Sequence, residues 1–448
     1  MRALTVVALL VGAAACSGDP STAEAEPWAG DSGMDAAADA SGPGLDAASD
    51  TPPGDAATDA SYADAHAPDA KVEQDAEEPI DAAIQDVSSP DSAVVDGAAP
   101  KDAAPDAKPD AAPDAQPDAA PAGPFKVYVS PTGKDTNDGS TLAKAVLTLT
   151  RVQAILQAAK PGRDVEVRIA PGRYQAQKVT WKYTMPTHKI TFMPLNDDKN
   201  RPIYDGCLVE NVTNPGTQCP GGTWFILDHA GGQETNLHFE YIYVERYQTA
   251  ISLNGDRDQE STSNGSNRVF GCYFKDIGNE FNPALATSTA ALRLVNSDDN
   301  EIVNNHFVDI VNTTSGALLH AIYAAHMSDR NLIQSNRFER GTGDPVRIRD
   351  YSNDNEIRDN RFIKIGAAAY SDWYCDHEVN TACTKPAAEC PSWRNQFRDN
   401  FLDGSWTCDP LTVWKLYQDD TTAGCTKPSG AARVSTSGNT QQSPPCSS

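Results

Sequence analysis

The sequence predicts an all-β solenoid of short parallel strands, and two observations carry that prediction. The first is a phrase, Asn-x-Ile-x-x-Asn-x-Phe, that recurs down the second half of the chain. It supplies Asn300, Ile302, Asn305 and Phe307, then Asn331, Ile333, Asn336 and Phe338, then Asn355, Ile357, Asn360 and Phe362. Weaker copies start at Asn267, where Cys272 takes the second Asn position, and at Asn395. The starts lie 33, 31, 24 and 40 residues apart, within the range where each repeat is one unit stacked on its neighbours. A single copy is too short and too polar to bury itself. Stacked copies put Ile and Phe into inward apolar columns and Asn into side-chain ladders at turns. The second observation is that the segments just before the repeats align. Ile251, Leu292, Ile322 and Val346 share one inward column, and Leu253, Leu294, Ala324 and Ile348 share the next.

From the N-terminus, residues 1–16 read as an export signal. Arg2 is the positive start, Leu4 to Val11 the apolar run, and Gly12 to Ala15 the small residues before Cys16. The run is too short to span a bilayer as a permanent helix. A small-residue run ending in cysteine resembles a bacterial lipoprotein signal. That resemblance implies lipidation of Cys16, membrane contact through the lipid anchor alone, and an outer-membrane or cell-surface location, with Ser17 fitting that sorting. Plain secretion is the alternative.

Residues 17–123 are low-complexity Asp, Ala and Pro repeats with 25 acidic residues against three lysines, a net of −22 out of −26 for the whole chain. Such a composition cannot offset its ordering entropy, so a disordered, extended stalk is expected. The acidity therefore describes the stalk. It argues against nucleic-acid binding and says little about the ligand of the folded part.

Residues 124–402 are expected to form the solenoid domain, as a monomer, and 403–448 a cysteine-containing C-terminal cap. Nine cysteines follow Cys16, and in an exported chain most should pair. Cys207 with Cys219 would close a loop, and Cys272, inward by pattern, is expected to be free. The other six crowd into 375–446 and would pin a loop-rich, disulfide-rich region, with their connectivity left open. No Cys or His spacing fits a structural zinc site.

The domain opens with Tyr128-Val-Ser-Pro-Thr-Gly-Lys-Asp-Thr-Asn-Asp-Gly-Ser140, followed by a helical stretch over roughly 146–159. Val152, Ile155, Leu156 and Ala159 give that helix one apolar face. Val165, Val167 and Ile169 then alternate as a strand covered on one side should. This order resembles the opening of right-handed parallel β-helix proteins, a superfamily that includes pectate lyases and the chondroitinase B and alginate lyase group. The resemblance covers about 126–402 and implies that the helix caps the open N-terminal end of the solenoid, hiding strand edges.

Strand alternation sends Ser252, Arg293, Tyr323 and Arg347 outward in one stacked row, with Val295, Ala325 and Arg349 at the next outward position and Asn296, His326 and Asp350 near the bend. Two arginines flanking a tyrosine, with Arg349 and His326 beside them, suit an acidic polysaccharide. Guanidinium forks pair with uronate carboxylates or sulfates, and Tyr stacks on a sugar ring. A lyase must also neutralise the carboxylate, with Arg or Ca²⁺, and needs a base within hydrogen-bond reach. Asp298, Asp299 and Asp350 offer hard oxygens for Ca²⁺; turn chemistry is the competing explanation for them.

The stretch from Ser328 to Asp350 is similar to the chondroitinase B and alginate lyase pattern, and Arg349 matches that group's strand-end arginine. The group's lysine has no counterpart, since His326 and Met327 stand in its place. The resemblance implies Arg349 as a catalytic residue, with His326 or Tyr323 standing in as base; the outward row adds Arg347 and Arg293 as substrate-binding residues, and His320, in a His-x-Ile-Tyr phrase, is a further substrate-binding candidate. Inserted segments over 196–235 and 366–394, the latter with Tyr370, Trp373, Tyr374, His377 and Trp393, would either border a sugar groove or pack over the C-terminal end. The leading expectation is a surface-anchored protein that binds an acidic polysaccharide, with cleavage by β-elimination left open because the group's lysine base has no counterpart. The alternative is a non-catalytic adhesion or structural repeat protein.

Overall fold

A computed structural model describes residues 123–196, 199–229, 231–376, 389–417 and 425–447. The signal with Cys16, the acidic stretch to residue 122, His377 and Cys383 lie outside these residues.

Parallel pairing generates three long sheets of ten, nine and eight strands. Each circuit of chain visits them in the same order, as in Glu301–Val303, His306–Val311 and His320–Ala325. The result is the right-handed parallel β-helix that the repeats predict. Its first sheet starts at Phe125–Val129, and its third ends at Thr412–Leu416. Strands Thr412–Leu416, Val434–Ser437 and Thr440–Gln441 pair in parallel with the circuit before them. The solenoid therefore runs one circuit into the region expected to be only a cap.

The helix spans Leu149–Ala159, three residues shorter at its start than expected, because Thr148 caps it by accepting from the Arg151 amide at 3.1 Å. Val146 is instead taken by a parallel bridge to Val129. Leu149, Val152 and Leu156 form the buried face, while Ala159 is exposed. The helix packs on Phe125–Val129 and Val179–Trp181, the first strands of two of the three sheets.

Both asparagine columns form ladders. In the first, Nδ2 of Asn267, Asn300, Asn331 and Asn355 donates to Oδ1 of the next Asn along, ending on Asn395, at 2.7–3.1 Å. In the second, Asn305, Asn336, Asn360 and Asn400 do the same, ending on Asn439, at 3.0–3.1 Å. The residue before each ladder position has positive φ, for example Asp299, Arg330 and Asp354 at 54–59°. The chain corners there, and its freed amides need the side-chain oxygens that the ladder supplies. Phe274, Phe307, Phe338 and Phe362 stack inside with centroids 4.8–5.1 Å apart.

Cys207–Cys219 is bonded, Cys390 pairs with Cys425, and Cys408 with Cys446. Cys375 is also disulfide-bonded. Cys272 is free and buried, with Asn305 accepting from its amide at 2.9 Å, so it occupies a ladder position without continuing the ladder.

Candidate functional site

The site is built on the outer face of the third sheet. Its register makes Ser252, Arg293, Tyr323, Arg347, Ser371 and Lys415 successive neighbours along the solenoid. The alternating positions, Ile251 to Val346 and Leu253 to Ile348, are the buried columns that the sequence predicts. The row therefore points outward as expected, but it is not an open wall. Arg293 is partly exposed, whereas Tyr323 and Arg347 are only 5% and 2% exposed. The covering comes from the second inserted segment and from the residue after Thr412–Leu416: Trp373 lies with its ring 4.4 Å from the Arg349 guanidinium carbon, and Tyr417 lies 5.0 Å from that of Arg347.

Beneath this cover is a small cavity walled by Thr289, Leu318, His320, Tyr323, Arg347, Arg349 and Trp373. Four of the residues expected at the site thus meet in one place. Arg349 is held as a fork, Nε and Nη2 donating to the two Glu389 oxygens at 2.7 and 2.8 Å, and Nη1 donating to the Tyr323 hydroxyl at 2.7 Å. Burial acts to raise the Glu389 carboxyl, but the Arg349 guanidinium and His326 outweigh it and hold the group well below its usual range. Arg347 donates through Nε to Ser371 Oγ at 2.8 Å and sits 3.7 Å from Asp344.

His320 Nδ1 lies 2.7 Å from the Asp344 carbonyl oxygen. A carbonyl only accepts, so Nδ1 carries the proton and Nε2 is the bare nitrogen. Burial, and then the positive charge of Arg347, pull the imidazole down to about 3. Its ring runs nearly parallel to that of Tyr323, 15° apart with centroids at 5.8 Å. Asp344 is pinned in turn: Oδ1 accepts from the Ala367 and Ala368 amides at 3.0 and 2.9 Å, and the Tyr417 hydroxyl donates to Oδ2 at 3.1 Å.

Two expectations need correction. His326 does not wall the cavity. It has φ +53 at a corner stacked between those of Asn296 and Asp350, and its Nδ1 lies 2.8 Å from Asp350 Oδ2. Its Nε2 is buried with no hydrogen-bond partner among the described residues. Corner geometry carries this side chain away from the row that the strand alternation governs. The three aspartates do not form one oxygen cage either. Arg330 forks onto Asp299 at 2.9 Å and lies 3.3 Å from Asp298, while Asp350 serves His326. Among the described residues, the group close enough to share an ion is His326, Asp350 and Glu389, and Arg349 already holds both Glu389 oxygens.

Sequence reasoning missed Glu389, Asp344, Leu318, Thr289 and Tyr417. Glu389 lies within the inserted segment flagged for its aromatics, but nothing in its spacing aims it at Arg349. Asp344 carried a weak signal as the polar residue before Pro345, where an Asx-type turn is expected.

No family model matches the chain, and no curated protein matches its sequence. Solved structures do match. An alginate lyase from Paenibacillus sp. str. FPU-7 is 15% identical with a TM-score of 0.40, over 66% of this chain and 94% of that one. Pectate lyase Pel9A is 10% identical at 0.31, over 68% and 82%. A rhamnogalacturonan lyase is 12% identical at 0.27, over 68% and 90%. Likeness at this level does not say what the present chain binds.

Proposed function

We propose that this protein binds a uronate-containing polysaccharide at the cavity on the third sheet and cleaves it by β-elimination. One observation carries the reading: two guanidinium groups, a neutral imidazole, a phenol and an indole wall a single small cavity. Arg347 and Arg349 engage the uronate carboxylate, stabilising the charge that develops on it as the adjacent C–H bond breaks. His320 Nε2 takes that proton from C5. The electron pair forms the C4–C5 double bond, the C4–O bond breaks, and the Tyr323 hydroxyl gives its proton to the departing oxygen. The base role thus passes from His326 to His320. A bound carboxylate offsets the field of Arg347 and raises the basicity of His320 when substrate is present. Because the arginines neutralise the carboxylate, turnover is expected to survive chelation of Ca²⁺.

The experiment incubates the full chain with polygalacturonate, alginate and chondroitin and follows absorbance of the unsaturated product. Signal that disappears in Arg347→Ala and His320→Gln supports the reading; no signal from any acidic glycan removes the chemistry. A second, non-catalytic reading as a carbohydrate-binding surface protein is favoured by the low basicity of unliganded His320. Glycan binding without product identifies it. Export and lipid anchoring at Cys16 belong to the same proposal, and loss of membrane association in Cys16→Ala tests them.

A further inference from the structure

We infer that Glu389 occupies a carboxylate-binding site of the solenoid, as a built-in competitor that an acidic ligand must displace; this deepens the reading above and rests on it. The groups that hold Glu389 come from two circuits of the solenoid as well as from its own segment. Arg349, just after Val346–Ile348, forks onto both Glu389 oxygens at 2.7 and 2.8 Å. Arg257, in the turn after Thr249–Asn254, brings Nη2 within 3.6 Å of Oε1. That turn is held by the next circuit, since Asn296 Nδ2 donates to the Asp256 and Gln259 carbonyls at 2.7 and 2.8 Å. The Cys375 amide donates as well, to Oε2 at 2.6 Å. Two guanidinium groups and an amide around one carboxylate are what recognition of a uronate needs.

The occupant belongs to a segment that the repeat does not encode. Cys390 beside it is bonded to Cys425, and the Cys390 amide donates to Asp350 Oδ1 at 3.0 Å. With Glu389 in place the site is shut: Glu389 and Arg349 are 2% and 3% exposed, and the adjoining cavity has room for about one water molecule. A sugar carboxylate therefore reaches the Arg349 fork only as the Glu389 carboxylate leaves it. Charge decides which ligands achieve that exchange. An anion replaces one negative group by another, whereas a neutral sugar would leave the Arg349 guanidinium buried without a counter-charge. The contact thus lowers the apparent affinity of acidic ligands in proportion to the fraction of molecules in which Glu389 is displaced, and it screens out neutral ones.

The test titrates the full chain with galacturonate and with galactose by calorimetry, in wild type and in Glu389→Gln. Glu389→Gln is expected to bind galacturonate about tenfold more tightly than wild type, to ignore galactose, and to lose the gain when Arg349→Ala is added. Affinity for galacturonate that is unchanged or weaker in a folded Glu389→Gln protein makes Glu389 a structural partner of Arg349 and overturns the inference. Should Glu389→Gln not fold, its thermal unfolding is followed in galacturonate and in chloride at equal ionic strength. A cooperative transition restored by galacturonate alone supports the site, and the same result in both salts overturns it. Turnover of acidic glycans keeps the two readings apart. Cleavage with no gain in galacturonate binding leaves the proposed function standing without this contact, and tighter binding without cleavage by either protein removes the chemistry and keeps the contact.

Discussion

The asparagine ladders and the outer row of the third sheet are products of the same register, and they differ in what each circuit contributes. Along the first ladder each circuit from Asn267 to Asn395 supplies the same residue, so each side chain finds its partner one rung away inside the protein. Along the outer row the circuits supply Ser252, Arg293, Tyr323, Arg347 and Ser371 in turn. Unlike residues meet there: Arg293 and Arg347 each reach the serine of an adjacent circuit through Nε, and His320 reaches the Asp344 carbonyl one circuit on. Arg349 is met from outside the repeat, by Glu389. Repetition builds a wall, and departure from repetition leaves groups available for chemistry.

The comparison can be broken first on the structural side. Phe338→Ala removes the middle of the phenylalanine stack and is expected to cost about 4 kcal/mol, as for other buried Phe truncations. Chemical denaturation measures it; a cost under about 1 kcal/mol would mean that the stack is ornamental. Asn331→Ala comes next. It strands the Asn300 amide and Nδ2, which both donate to Asn331 Oδ1, for an expected loss of about 3 kcal/mol. On the functional side the order of effects reverses. Arg347→Lys keeps the charge but loses the flat face against Tyr417 and the Nε bond to Ser371. Turnover should fall about a hundredfold, with less loss of stability than Asn331→Ala causes. Equal damage to stability and turnover would place Arg347 with the ladders instead.

The smallest effect concerns pH. His320 has its folded pKa lowered to about 3 from an ordinary 6.5, so its neutral form persists well below pH 6. The acid limb of kcat/KM should accordingly lie far under 6.5, and a limb centred near 6.5 would mean that the ring is open to water. The sign for stability follows. The unfolded chain takes up the proton first, so this histidine's contribution is full above about 6.5 and declines as pH falls below it. His320→Gln should flatten that decline, read from thermal unfolding across pH.

Much of the fold was legible because a solenoid repeats itself in sequence. Asn300, Asn331 and Asn355 mark the same corner, so aligning three short phrases amounts to stacking three circuits. The candidate site was legible only in its row. Arg347, Arg349 and Tyr323 follow from strand alternation, His320 was a further candidate from its His-x-Ile-Tyr phrase, and the four line one cavity. His326 sits at the bend where the sequence put it, in a left-handed corner, and what the sequence did not carry is that this corner turns the side chain toward Asp350 and not the cavity.

The sequence alone determined which residues face inward, which face outward, and which become vertical neighbours, since those follow from a two-residue period repeated at a fixed position in each circuit. Only the tertiary structure decided which outward residues meet water. The cover over Tyr323, Arg347 and Arg349 comes from Trp373, Glu389 and Tyr417 in non-repeating segments. Their paths are set by disulfides and by contacts far apart in the chain, and no local period encodes where such a segment comes to rest.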